Sequence, residues 1–325
     1  MNWHKFFIIN AILIIIIGVC IETYNYINYK SKYIDVLINN AKNTANPQKD
    51  VRKNLPKYVI PKSYDYKKHI DTYKYRSSGN SAKRPIITIG CSYAYGILLG
   101  KEYTLAGQLN EITDRIVYNL GISATGPQIV YEQLSDSKIK KEIPDAEYII
   151  YVFLHNHIMR QFMTFVHLNG NEISPQYYND NNGNFAKRKM LSPKILYTFF
   201  SVRNYLDKMM FNQETAEKQN GLPIFLRTME ESYKAAKKNY PDSKFVLLEF
   251  PQGSMCNPNY YDKSQELSDE NIKALEKIGI IYINAEQLVG HKFRDVEKYR
   301  IADKDHPNAK VWQEIAPALK KRLNL

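Results

Sequence analysis

A serine, a histidine and an aspartate set far apart in the chain carry the chemistry available to this sequence. Ser92 lies in Gly90-Cys91-Ser92-Tyr93-Ala94-Tyr95-Gly96, directly after the apolar run Ile86 to Gly90. A serine at such a bend can turn its hydroxyl into a cleft while its own backbone N–H faces a developing oxyanion, and Gly90 permits a tight approach. A hydroxyl is a weak nucleophile without a base, and the chain has only seven histidines. One of them, His306, stands in Asp303-Lys304-Asp305-His306-Pro307-Asn308, just ahead of a helical pattern. Pro307 is expected as the first helical residue, and Asp303, one turn back, is expected to hold the imidazole by a hydrogen bond. Asp305 competes for that place, but the three-residue spacing favours Asp303. Together the three groups suit nucleophilic attack on an acyl carbonyl, in the chain order Ser, Asp, His.

These groups need elements to position them. Ile86 to Gly90, Ile116 to Leu120, Tyr148 to Leu154, Phe245 to Phe250 and Ile280 to Ile283 are short apolar runs, β-branched or aromatic, of the kind buried on both faces of a sheet. Helical patterns separate or follow them at Leu105 to Ile112, Pro127 to Glu142, Phe225 to Asn239, Asp269 to Lys277 and Pro307 to Leu323. The alternation predicts an α/β fold with a doubly wound, mainly parallel sheet of five strands. In such a sheet chemistry gathers beyond the carboxyl ends of the strands. The second strand ends at Asn119-Leu120-Gly121 and the third at Leu154-His155-Asn156-His157. The Gly121 N–H and the Asn156 amide are therefore candidate oxyanion donors beside the Ser92 N–H.

At these residues the chain resembles the SGNH (GDSL-like) hydrolases over about Pro85 to Leu325. The resemblance rests on Gly-Cys-Ser at the first strand end, Gly121 and Asn156 at the next two, and Asp-x-x-His-Pro-Asn near the terminus. It implies a flavodoxin-like three-layer α/β/α sandwich, a triad of Ser92, His306 and Asp303, and an oxyanion hole of Ser92, Gly121 and Asn156. Cys91 replaces the family's usual acidic residue, and Leu154-His155-Asn156-His157 replaces its Gly-x-Asn-Asp. The resemblance implies a serine ester hydrolase acting without metal or cofactor. An acyltransferase using the same residues and a non-catalytic surface binding or assembly protein are the alternatives. Cys91, next to the serine along the strand, is expected to point into the core. His155 and His157, two apart, would share a strand face and offer a metal pair, but no third ligand lies nearby. Trp312 and Tyr95 are read as packing residues.

The first residues read as a membrane anchor. Phe6 to Ile21 is apolar except for Asn10, with Trp3 and Lys5 before it and Tyr24 and Tyr26 after it. As a helix, Trp3 to Tyr24 would be about 33 Å long, close to the hydrocarbon thickness of a bilayer. A cleaved signal peptide is the alternative, although Glu22-Thr23-Tyr24 lacks the small residues of a cleavage site. The chain thus divides into an anchor (1–22), a polar stem (23–84) interrupted by Pro47, Pro56 and Pro61, and a catalytic domain (85–325) with an insertion at about 160–221. The bulk is expected outside the cytoplasm. An acyl ester is the expected substrate, with an acylated surface polysaccharide as the form in view.

Composition supports a folded globule over a disordered chain. Of the 325 residues 44% are apolar and 24% charged, values typical of a packed globule. The net charge of +12 is spread over scattered lysines and short runs such as Lys138 to Lys141 and Lys320 to Arg322, which suit helix C-termini. No nucleic-acid partner is expected. Three cysteines, Cys20, Cys91 and Cys256, with no Cys-x-x-Cys, support neither a disulfide framework nor a cysteine zinc site.

Overall fold

The computed structural model describes residues 24, 74–75, 83–96, 99–122, 125–161, 177–179, 184–187, 221–250, 267–293, 295–301 and 306–325. All but Tyr24 belong to one compact unit, Pro47–Lys189 with Gln213–Leu325. The apolar runs form strands because each must bury both faces. Strand β1 is Lys74–Tyr75, β2 Ile86–Gly90, β3 Val117–Asn119 and β4 Tyr148–Leu154. Strands β5, Tyr177–Asn179, and β6, Phe185–Lys187, form a separate hairpin inside the insertion. Strands β7, Lys244–Phe250, and β8, Ile280–Asn284, complete the set.

The main sheet has the order β1-β3-β2-β4-β7-β8, with β3 to β8 parallel throughout. This is the expected five-stranded parallel sheet. It gains an antiparallel edge strand, β1, from the stretch read as stem. Every residue of β4 is buried, as a central strand covered on both faces requires. The direction of winding reverses around β2, which has β3 on one side and β4 on the other. A crevice is expected beyond its carboxyl end for that reason.

Helices cover both faces. Helix α1 is Ser92–Tyr95 and α2 Leu105–Thr113. Then come α3, Pro127–Ser135, α4, Ser137–Glu142, and α5, His157–Arg160. The remaining helices are α6 Leu222–Asn239, α7 Asp269–Lys277, α8 Ala285–Val289, α9 Val296–Tyr299 and α10 Ala309–Leu323. One apolar core joins Leu105 and Leu109 of α2, Ala285 of α8 and Trp312, Ile315 and Leu319 of α10 to Ile86, Ile150, Val152 and Leu248. The opposite core joins Val130, Leu134, Phe225, Met229 and Leu275 to Ile87, Ile89, Ile149, Phe153 and Leu247. The alternation of these strand residues between the cores makes three α/β/α layers. Each such large side chain, fully buried, contributes on the order of 1.5–3 kcal/mol before chain entropy is counted.

Two sequence expectations need adjustment. Pro127 to Glu142 is two helices, because Asp136 is extended and its carboxylate accepts the Lys138 N–H at 2.7 Å, capping a new start. Pro307 lies outside α10. It forms a β-bridge with Arg300, and Asn308 is the cap, its side chain accepting the Lys310 N–H at 3.0 Å. Among the described residues no helix is long and apolar enough to cross a membrane, and Phe6 to Ile21 lies outside them.

Candidate active site

The turn after β2 is shaped by backbone crowding. Gly90 has φ +144°, and a Cβ there would sit 2.6 Å from the Val152 carbonyl of β4, so only glycine lets β2 end this way. Cys91 follows, fully buried in the core that faces α10. Ser92 then opens α1, a single turn closed by Tyr95 N–H to Cys91 O and Gly96 N–H to Ser92 O. The serine is 5% exposed, and its own N–H, at the helix start, donates to nothing among the described residues.

The histidine arrives from the other end of the chain. Tyr299 to Ile301 pairs back on His306 to Asn308: Ile301 N–H donates to His306 O, and Asn308 N–H to Tyr299 O, both at 2.9 Å. The Asn308 amide also donates to Lys298 O at 2.8 Å and Arg300 O at 3.4 Å. This short paired segment precedes α10 and aims the imidazole at α1. His306 Nε2 lies 2.8 Å from Ser92 Oγ, a hydrogen bond between residues 214 apart. The Tyr93 ring packs against the imidazole at 5.6 Å and against Phe250 at 5.8 Å, tying the pair to the core. Asp303 and Asp305 lie outside the described residues.

Gly121 is brought to α1. Its N–H donates to Asn119 Oδ1 at 2.9 Å. Glycine is required here for packing, since a Cβ would lie 2.3 Å from the Tyr95 nitrogen. Asn119 is the residue that sequence reasoning passed over. Its amide also donates to Ala94 O at 2.8 Å, clamping the helix of the nucleophile to the end of β3. A buried polar side chain after an apolar run was the available signal.

Asn156 follows β4, whose Val152 is level with Gly90 in the parallel register. Its side chain makes no hydrogen bond among the described residues, and its Oδ1 is buried without a partner. The amide donor is likewise unengaged among the described residues. His155 and His157 do not share a strand face, because β4 stops at Leu154 and His157 opens α5. Burial brings His155 down to about 4 and holds His157 well below the ordinary histidine range, with the Arg160 charge adding to the second shift. Both imidazoles are neutral at pH 7. Among the described residues no cluster of three His, Cys, Asp or Glu side chains is arranged for a metal. Trp312 and Tyr95 are core residues.

No family model and no curated protein matches the sequence. Solved structures resemble the chain at low identity. One is a protein described as lipolytic and of the G-D-S-L family from Desulfitobacterium hafniense DCB-2, at 12% identity and TM-score 0.44, covering 74% of this chain and 99% of that one. A catalytic mutant of an acetylxylan esterase from Geobacillus stearothermophilus shares 13% identity at TM-score 0.39, covering 78% and 97%. An acetyl xylan esterase from the rumen bacterium Butyrivibrio proteoclasticus shares 11% at TM-score 0.40, covering 76% and 65%. The chain's own strand order places a serine at the carboxyl end of β2 in contact with a histidine ahead of the last helix, within a three-layer α/β/α fold.

Proposed function

We propose that the protein is a serine ester hydrolase in which Ser92 is the nucleophile and His306 its base. The observation that carries this reading is the 2.8 Å contact between Ser92 Oγ and His306 Nε2 beyond the carboxyl end of the sheet. In the reaction Ser92 Oγ attacks the acyl carbonyl carbon as its proton passes to Nε2. The tetrahedral intermediate collapses, the ester C–O bond breaks, and the imidazolium returns the proton to the leaving alkoxide. Water, deprotonated by the same imidazole, then releases the acyl group and regenerates the serine. Asp303 is assigned to orient the imidazole. The Ser92 N–H and the Asn156 amide are the donors assigned to the oxyanion, and each such donor contributes typically 10²–10³ in rate.

The apolar run Phe6 to Ile21 supports an anchored enzyme whose bulk lies outside the cytoplasm. A site so placed faces surface carbohydrate, so an O-acylated polysaccharide is the assigned natural substrate. The chemistry is tested with the full chain and p-nitrophenyl acetate. Wild-type protein is expected to hydrolyse the ester and to label with a fluorophosphonate, and Ser92→Ala to do neither. Equal rates for the two proteins would remove the serine from the mechanism.

A further inference from the structure

The turn that carries Asn156 has little of its own to hold it. Ile158 N–H donates to His155 O at 3.0 Å and Arg160 N–H to Asn156 O at 3.1 Å, both bonds of the short helix that follows. Neither the His155 nor the Asn156 side chain makes a hydrogen bond among the described residues. An oxyanion donor is effective only if its position is set before reaction. Something else must therefore set the angle at which the chain leaves β4.

The next side chain does this. His157 turns back over the strand end, and its Nδ1 lies 2.8 Å from the Tyr151 hydroxyl, with the Leu154 N–H directed at the same nitrogen from 3.5 Å. Two donors on one nitrogen make Nδ1 the acceptor and place the ring proton on Nε2, which is buried without a partner. Burial pushes the Tyr151 phenol well up, so it keeps the proton it donates. The rings of Tyr151 and His157 stack at 5.8 Å and 18°, and Phe153 packs edge-on at 5.7 Å. All three side chains are fully buried, which leaves the imidazole no room to rotate. The far end of α5 is fastened separately: Gln161 donates to Ile158 O at 3.1 Å and accepts from Thr228 Oγ1 at 3.0 Å, while Arg160 donates to Thr125 O at 3.2 Å. Among the described residues, the side-chain hydrogen bonds that span the turn from β4 to α5 both end on His157 Nδ1, the one from Tyr151 being the shorter.

We propose that Tyr151 and His157 are positioning residues for the reaction: their buried hydrogen bond closes the His155–Asn156 turn and holds the Asn156 amide at the oxyanion. The assignment rests on the serine hydrolase reading above. Tyr151 acts only through Asn156, and that gives a test which a packing role does not pass.

The full chain is assayed with p-nitrophenyl acetate, with circular dichroism and melting temperature as controls. Tyr151→Phe, which removes one hydroxyl and keeps the ring, is expected to lower kcat about tenfold with KM within twofold of wild type. Asn156→Ala is expected to lower kcat about 10²–10³-fold. The double variant Tyr151→Phe/Asn156→Ala is expected to be no slower than Asn156→Ala alone, because the amide that Tyr151 positions is gone. His157→Asn, whose side-chain oxygen can take the place of Nδ1, is expected to keep more kcat than His157→Leu. Multiplying losses in the double variant, or wild-type kcat in a folded Tyr151→Phe, would overturn the proposal while hydrolysis still depends on Ser92. Absence of Ser92-dependent turnover in the wild type would instead overturn the hydrolase reading and this assignment with it.

Discussion

Single side chains at this site differ in what they leave available. The Gly121 N–H is engaged by Asn119, while the Ser92 N–H and the Asn156 amide are not. Position in a motif did not separate these cases, but hydrogen-bond accounting does. The two histidines beside Asn156 also leave a thermodynamic signature. The folded protein holds His155 at about 4 and His157 well below its ordinary value, whereas both return to about 6.5 in the unfolded chain. Between pH ~6.5 and ~4 the unfolded state therefore binds more protons, so stability falls as pH is lowered through that window. Above it both states are neutral at these residues, and the contribution is flat. Each histidine adds at most about 1.4 kcal/mol per pH unit to the slope. Urea midpoints at pH 7, 6 and 5 are expected to show a shallower decline in His155→Gln than in wild type, by roughly one proton. Parallel curves would mean that the folded state tolerates the charge.

At the scale of elements, the segment that carries His306 depends on one side chain. Asn308 caps α10 through Lys310 N–H and ties the backbone of Lys298 and Arg300 to the strand of the histidine. Loss of an N-cap costs about 1 kcal/mol, which lowers the melting temperature of a domain of this size by a few degrees. Catalysis is expected to suffer more, since the same residue sets the approach of Nε2 to Ser92. Asn308→Ala is expected to melt only a few degrees lower, yet to lose more than tenfold in kcat toward p-nitrophenyl acetate. A fall in stability with unchanged kcat would assign Asn308 to the helix alone. The nucleophile's element is held differently: Asn119 bonds to the carbonyl of Ala94, and Gly121 packs on the backbone of Tyr95. Both constraints come from the end of β3 and the residues just after it, so that strand end and α1 form one unit.

Across the whole molecule the two ends of the sheet have separate tasks. At the amino end Arg84 holds Asp145 through two bonds of 2.6 and 2.7 Å, and Arg115 bonds Glu147 at 2.6 Å and Arg84 O at 2.7 Å. These fastenings set the relation of β2, β3 and β4 where no chemistry occurs. The carboxyl end holds Ser92, His306 and Asn156 on turns, where side chains can point into a crevice. The proposed anchoring is a property of the full chain and is tested as one. The protein is expected in the membrane fraction after alkaline carbonate washing, and a variant with two lysines in place of Ile14 and Ile15 is expected to be washed out. Release of the wild type would favour a cleaved leader over an anchor.

Much of this arrangement was legible before any coordinates. A strand buried on both faces must be apolar along its whole length, so Ile86 to Gly90 and Tyr148 to Leu154 announced themselves with the same bounds as in the structure. The carboxyl ends of such strands are where side chains can reach a shared crevice, which directed attention to Ser92, Gly121 and Asn156. Periodicity over a few residues carries that information, because strands and helices repeat within a few residues. It carries none about which strand lies beside which. The contact between Ser92 and His306 exists because β2 sits at the reversal of the sheet and α10 packs across the same face. The engagement of Gly121 by Asn119, the start of α10 after an Asn308 cap rather than at Pro307, the addition of β1 to the edge, and the folding of His157 onto Tyr151 are likewise tertiary results. In each, a polar group or strand edge had several possible partners, and packing selected one.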